Sequence, residues 1–408
     1  MRESRFVTLG GGMVAGYAAK QLVELGLKAG ELAIVSADTS VPYERPPLSK
    51  GFLSGKDSEE AIRINSEGFY SEHGIDIKLG CEVSSIDESR KQLVLKSGGE
   101  VGFENLIIAT GARPRTLKIP GADLGNVYYL RSLDDSKSIR RSADSVKRAV
   151  VVGGGFIGME VAAVLAQKSI EVTMVLNEER IWRRFFSPQM STFFESYYTE
   201  RGVRFVKNAT ILELRGTGTV SSIALSDGQS APCEMVVAGI GVTPAIEVLA
   251  NSGIEAQDGV MVNEYLKTSH ADIYAAGDVA NYKDVIFEKR RRVEHWDNAV
   301  AQGQYCARAL MGDRSPFRHV PYFFSDVFEL SYEYWGDASG TDEVVHRGDL
   351  ASKNFSVWWL KQGRVVAAFT MNRPNEEREA APLWIEEKRS LSAARLKDPT
   401  RPISDVLE

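Results

Sequence analysis

Cysteine is scarce in this sequence, and no cysteine is spaced to work with another. Cys81, Cys233 and Cys306 are the three in 408 residues. No CxxC or CxxxxC pair exists, which excludes a thiol redox centre or zinc knuckle built from sequence neighbours. There is also no apolar run of the ~18 residues needed to cross a bilayer. The opening stretch, MRESRFVTLGGG, lacks the long apolar segment and small-residue cleavage site of a secretory signal. Basic excess is missing too: 49 Lys+Arg face 55 Asp+Glu, a formal charge of −6, so nucleic acid is not generally attracted. No repeat array or low-complexity tract appears. These absences leave a soluble multidomain chain, expected in the cytoplasm, with no metal, nucleic-acid partner or membrane partner. At 43% hydrophobic and 25% charged residues, it has enough apolar matter to bury a core.

What is present begins with one internal similarity. RFVTLGGGMVAG (residues 5–16) and RAVVVGGGFIGM (residues 148–159) share a basic residue, a β-branched run, three glycines and an apolar helix start. Each precedes a helical stretch (Tyr17–Leu27, Glu160–Gln167) and a second apolar strand (Glu31–Val35, Glu171–Leu176). Strand, glycine turn, helix, strand, twice over, predicts two parallel sheets with crossover helices. The first turn supplies Gly10, Gly12 and Ala15, a GxGxxA pattern; the second supplies Gly153, Gly155 and Gly158, a full GxGxxG. Such a turn lets backbone approach a pyrophosphate at a helix N-terminus, and both copies sit between strand and helix as dinucleotide binding requires. An acidic side chain after the second strand holds ribose hydroxyls: Asp38 in the first copy, Glu178 in the second. Glu178 favours NADH, while its neighbours Arg180, Arg183 and Arg184 keep NADPH possible by pairing with a 2′-phosphate.

From Phe317 the chain turns aromatic and short-stranded. Phe355–Leu360 and Arg364–Met371 form a predicted hairpin with Gly363 at its turn. Glu376–Arg395 reads as helical, and residues 399–408 as a loose end. The fold class is therefore α/β, with two Rossmann-like dinucleotide domains and a C-terminal α+β domain. The run Lys289–Arg292 reads foremost as a solvated face, with docking of an acidic ferredoxin as another possibility and nucleic-acid contact as the least favoured.

Further segments carry a family resemblance. LIIATGARPR (Leu106–Arg115), VVAGIGVTPAIEVL (Val236–Leu249) and DIYAAGDVA (Asp272–Ala280) occur in the order found in FAD-dependent pyridine-nucleotide oxidoreductases of the glutathione-reductase fold. The chain resembles this family over nearly its whole length. The resemblance implies an FAD domain in two parts, 1–116 and 242–314, an NAD(P)H domain at 117–241 and a C-terminal domain at 315–408. Disulfide reductases carry CxxxxC after the first glycine turn; here that region has no cysteine, so electrons pass from flavin directly to an acceptor. PYERPPLSKGFL (Pro42–Leu53) is similar to ferredoxin and rubredoxin reductases, monodehydroascorbate reductases and the apoptosis-inducing-factor group. GELAIVSADTSVPYERPPLSKGFL, FFESYYTERGVRFVKNATI and PYFFSDVFELSYEYWGD look closest to monodehydroascorbate reductase. Its activity is the leading expectation, with ferredoxin or rubredoxin reduction as the alternative.

That resemblance implies FAD and NADH as cofactors, and it assigns roles. Lys50 is placed near the flavin N5, with Glu160 as its ion-pair partner and nicotinamide contact; these are the catalytic expectations. Arg45 and Pro46 line the FAD, and Ala109, Thr110, Gly111, Arg131, Gly277 and Asp278 join them, Asp278 on the ribityl chain. Glu294, His295 and Trp296 lie beside the flavin ring, His295 more structural than catalytic. Phe156, Ile157 and Gly241 join the NADH site. Pro321, Tyr322 and Phe324 fall where related enzymes set aromatic groups against the flavin, on the face away from NADH, and Val300, Tyr322 and Phe324 are the expected acceptor-site residues. Plant monodehydroascorbate reductases have an arginine where this chain has Val300 and a tyrosine where it has Phe324. The partner is therefore a small-molecule radical acceptor or a small iron-sulfur electron-transfer protein. A redox-sensing interaction protein like apoptosis-inducing factor is the third reading.

Overall fold

The computed structural model describes residues 3–183 and 185–408, so the expectation for Arg184 lies outside the described residues. Its contacts divide the chain into two units. The first comprises residues 1–44, 59–113 and 243–323; the second comprises 45–58, 114–242 and 324–408.

In the first unit, the β-branched run after Arg5 becomes the strand Glu3–Leu9, flanked in parallel by Leu32–Val35 and Glu100–Ile108. Leu9 is in register with both Val35 and Ile108, so three strand ends meet at one level, where the glycine turn begins. Asp76–Lys78 adds beyond Leu32–Val35, and Ile273–Ala275 beyond Glu100–Ile108, both in parallel. An antiparallel pair, Val83–Asp87 and Gln92–Leu95, extends the same sheet. The helix Met13–Glu24 packs on Trp296–Leu310. The core shared by the sheet and these helices is mainly aliphatic, with Val7, Ile107, Ala275 and Cys306 essentially sealed from water. The helix starts at Met13, earlier than the expected Tyr17, because Gly12 itself is the residue that opens it. The second turn behaves alike: its helix spans Phe156–Gln167 and opens from Gly155.

In the second unit, five parallel strands run in the order Val203–Val206, Glu171–Val175, Arg148–Val152, Met235–Ala238 and Val127–Tyr128. A further sheet takes the order Tyr322–Val327, Leu330–Gly336, Arg364–Met371, Asn354–Lys361 and Glu343–Asp349, its first two residues belonging to the other unit. The predicted hairpin is there, with Lys361 opposite Arg364 and positive φ at both Gln362 and Gly363, the mirror-image turn that matches strand twist. The helix Pro188–Thr199 and the segment before it meet this sheet through aromatic edges: Phe194 of the helix lies 5.2 Å from Tyr332 between ring centres, and Phe186, ahead of its N-cap, lies 5.3 Å from Phe369. Each such pair adds about 0.5–1.5 kcal/mol beyond its buried area.

Two expectations are corrected here. Residues 399–408 are not loose. Arg347, buried in its strand, donates to Glu377 and to the carbonyls of Leu396, Asp398 and Arg401, and Val406 is fully buried. A buried guanidinium has five donors to satisfy, and the tail supplies the acceptors. The run Lys289–Arg292 is a solvated face only in part: Arg290 is exposed, but Arg291 and Arg292 are largely withdrawn from water. Arg291 pairs with buried Asp284 at 2.7 Å, Arg292 pairs with Asp258 and Glu294, and Arg290 donates to the carbonyls of Val262 and Asn281. Carboxylates and carbonyls from distant segments absorb these charges.

Candidate dinucleotide and hydride-transfer site

At the first turn Gly10 has φ +118°, and a Cβ there would stand 2.2 Å from the Ala109 carbonyl oxygen. Gly153 repeats this at φ +101°, with a Cβ 2.3 Å from the Gly239 carbonyl oxygen. Only glycine tolerates both the torsion and the approach. A Cβ on Gly155, by contrast, would meet nothing within 4 Å. Neither Gly12 nor Gly155 offers a side-chain cap, so first-turn N–H groups of both twelve-residue helices face outward for an anion. Ala15 is buried at the helix–strand contact. The two turns fit dinucleotide pyrophosphates.

Around the first turn, Ala109 donates its N–H to Leu9, and the Thr110 hydroxyl and the Gly111 carbonyl both hold Ala245. Asp38 accepts from the Tyr43 hydroxyl at 2.9 Å and from the Ser40 N–H, which fixes its carboxylate in the loop. Gly277 donates to Gln302 at 2.7 Å, and the Asp278 carbonyl accepts from Arg292, which also pairs with Glu294. Trp296 donates its indole N–H to Glu44 at 2.5 Å, and the Tyr17 hydroxyl reaches the same carboxylate at 2.6 Å. His295 stands edge-on to Phe323 at 5.2 Å, and burial lowers its pKa to about 4, so it is neutral at pH 7. His319 pairs with Asp297. Val300 packs half-buried on the apolar core, and Tyr322 opens its strand in this unit, next to buried Pro321.

In the second unit, Arg45 donates to the Arg131 carbonyl, and Pro46 opens a short helical turn ending at Ser49. Lys50 follows, with its Nζ 2.7 Å from Glu160 Oε1. The Lys50 ammonium also lies 5.6 Å from the centre of the Phe324 ring. Three expected residues therefore meet: Lys50, Glu160 and Phe324. Glu160 is 4% exposed. Phe156 packs its ring on Trp182 and Phe185, exposed Ile157 follows it, and Gly241 accepts from the Arg115 N–H. The Glu178 carbonyl accepts from Asn208, while its carboxylate has no partner among the described residues. Arg180 turns inward to the Phe186 carbonyl and the Ser191 hydroxyl, and Arg183 leans toward Glu179.

Sequence reasoning missed Ser49, Ser325 and Glu44. Ser49 and Ser325 both donate to Glu160. Their only sequence signal is adjacency to Lys50 and Phe324.

Residues 4–303 match the family described as Pyridine nucleotide-disulphide oxidoreductase, and residues 322–407 match Reductase C-terminal. The chain belongs to the pyridine nucleotide-disulphide oxidoreductase family. It is 37% identical, over 92% of its length and 80% of the relative's, to monodehydroascorbate reductase 4, peroxisomal, from Arabidopsis thaliana. Among solved structures, it resembles a covalent putidaredoxin reductase–putidaredoxin complex at TM-score 0.94 and 31% identity, covering 98% and 97% of the two chains. A ferredoxin reductase from Rhodopseudomonas palustris gives TM-score 0.93 and 31% identity, covering 99% and 100%. This family member is an FAD-dependent NAD(P)H oxidoreductase that passes electrons onward. The family's name includes a disulfide, but all three cysteines here are free thiols. Cys233 and Cys306 are buried, and burial lifts the Cys233 thiol to about 12, far from a reactive thiolate.

Proposed function

We propose that this oxidoreductase takes hydride from NADH and delivers electrons singly to a small iron-sulfur electron-transfer protein. The observation that carries the acceptor class is the apolar character of positions 300 and 324. Val300 packs among core side chains, and the Phe324 ring faces the Lys50 ammonium. Neither residue offers the cation or phenol that would favour an anionic, hydroxyl-rich radical. The likeness to the putidaredoxin and ferredoxin reductases supports the same reading.

Bound FAD supplies the chemistry that accepts an electron pair and releases electrons one at a time. The chain's own residues bind, orient and stabilise. Glycine turns and helix N-termini hold the pyrophosphates, and the Lys50–Glu160 pair orients the nicotinamide and places a cation for charge arriving at the flavin. For the nucleotide, Arg180 is spent on its own loop, and Glu178 is left to accept from ribose hydroxyls, which supports NADH over NADPH.

A second reading, reduction of monodehydroascorbate, is favoured by the 37% identity with the plant enzyme. Steady-state NADH oxidation separates them, run with a panel of ferredoxins and, in parallel, with enzymatically generated monodehydroascorbate. Higher kcat/KM with a ferredoxin supports the proposal; higher kcat/KM with the radical overturns it.

A further inference from the structure

Lys50 is not the sole donor to Glu160. Oε1 accepts from Lys50 Nζ at 2.7 Å and from Ser325 Oγ at 2.6 Å, and Oε2 accepts from Ser49 Oγ at 2.5 Å. Ser49, Glu160 and Ser325 are 1%, 4% and 0% exposed. Three chain segments converge on one carboxylate: the turn Pro46–Ser49, the helix Phe156–Gln167 and the strand Tyr322–Val327.

A carboxylate this buried needs its lone pairs satisfied, and one ammonium on Oε1 would leave Oε2 bare. Satisfying the charge is one consequence of the two hydroxyls; fixing its direction is another. Donors at both oxygens pin the carboxylate plane, since turning it would stretch at least one short bond. Hydrogen bonds to a charged acceptor are the strong ones, so that plane is stiff. Lys50 follows, because its ammonium takes its direction from Oε1. The residue beside Ser325 is Phe324, whose ring is 5.6 Å from the same ammonium. One strand thus touches the carboxylate and faces the cation.

We propose that Ser49 and Ser325 are positioning residues for hydride transfer, locking the Glu160 carboxylate and through it the Lys50 ammonium. The proposal rests on the reading that the Lys50–Glu160 pair acts at the nicotinamide and flavin. A clamp of this kind contributes where alignment matters most, in the transfer itself, and little to the initial binding of NADH.

The test uses the FAD-loaded protein, reduced anaerobically by NADH in a stopped-flow instrument. Ser49→Ala and Ser325→Ala are each expected to lower the limiting rate of flavin reduction by about 5- to 20-fold. NADH Kd from the same titration should stay within about twofold, and Ser325→Thr, which keeps the hydroxyl, should recover most of the rate. Lys50→Met and Glu160→Gln run beside them. If these two are slow and both alanine variants keep the wild-type rate, the clamp is refuted and the role of the pair stands. If Lys50→Met and Glu160→Gln are also unimpaired, the reading of the pair fails first. Should an alanine variant lose FAD or unfold, the cysteine variant at that position decides, since it keeps the volume with a much weaker donor. A slow cysteine variant supports the clamp, and one at the wild-type rate overturns it.

Discussion

Lys50 Nζ and Glu160 Oε1 lie 2.7 Å apart, with both side chains largely withdrawn from water. The lysine follows a proline-rich turn and the glutamate sits in the first turns of the second dinucleotide helix, so the ion pair joins two segments far apart in sequence. Removing one partner of such a buried pair strands the other charge, at a typical cost of ~3–5 kcal/mol. Here the serine hydroxyls soften that loss for Glu160. Lys50→Met is therefore expected to destabilise by about 1–3 kcal/mol in urea unfolding. It should also slow anaerobic flavin reduction by NADH by at least about tenfold. Equal reduction rates in variant and wild type would contradict the role of the pair.

Nucleotide preference can be tested at Glu178 and Arg180. Arg180 points to the Phe186 carbonyl and the Ser191 hydroxyl, at 2.7 and 2.8 Å. It is thus a loop brace, and NADH should exceed NADPH in kcat/KM. Glu178→Ala should lower kcat/KM for NADH by roughly 10-fold or more, since hydrogen bonds to a charged group contribute about 1.5–3 kcal/mol. Arg180→Ala should leave the NADH:NADPH ratio nearly fixed while lowering thermal stability. A variant that loses NADPH activity selectively would show the arginine reaching the phosphate instead.

Both glycine turns, the parallel strands beside them and the late hairpin were legible in the sequence, because each is a local pattern: β-branched runs, GxGxxG, two turn residues between apolar strands. The partners of single polar side chains were not. Nothing near Ser325 announces Glu160, and nothing near Arg347 announces the carbonyls of residues 396–401. Arg291 and Arg292 read as solvated because charge runs usually are, yet Asp284 neutralises the first, and Asp258 and Glu294 the second. Lys50 and Glu160 were named through family resemblance; spacing alone carries no sign that they meet.

The C-terminal tail gives a stability test. Burial alone would raise the Glu377 carboxyl, but Arg373, Arg347 and Ser356 outweigh it and hold the group below its usual range. Arg347→Met removes one of those donors and also releases the carbonyls of Leu396, Asp398 and Arg401. A loss of about 3–5 kcal/mol is expected, with residues 399–408 becoming the first site of limited proteolysis. Unchanged proteolysis would mean the tail is held by other contacts.

His295 sets a pH window. Burial, with a smaller contribution from Arg291, lowers its pKa from 6.5 to about 4. Between those values the unfolded chain binds the proton and the folded one does not, so stability rises with pH across the window. The contribution is complete above about pH 6.5 and is lost progressively as pH falls through about 4. It amounts to up to about 3 kcal/mol. Urea unfolding at pH 7.0, 5.5 and 4.5 should show the decline, and His295→Asn should flatten it. A wild-type stability constant across this range would show that the imidazole reaches water in the folded state.

Acceptor choice can be tested at the two apolar positions directly. If Val300 and Phe324 set it, the wild-type protein should reduce ferricyanide or a quinone well and monodehydroascorbate poorly. Val300→Arg with Phe324→Tyr adds a cation and a phenol. Each hydrogen bond involving a charge is worth on the order of 1.5–3 kcal/mol, roughly 10- to 150-fold in binding. The double variant should therefore gain at least about tenfold in kcat/KM for monodehydroascorbate. Phe324 also faces Lys50 at 5.6 Å, so the anaerobic NADH half-reaction must be measured alongside. A gain toward the radical with that half-reaction preserved assigns the effect to acceptor binding. A double variant unchanged toward the radical would refute the assignment of these positions. Efficient wild-type turnover of monodehydroascorbate would place its recognition on other groups and remove the main support for an iron-sulfur acceptor.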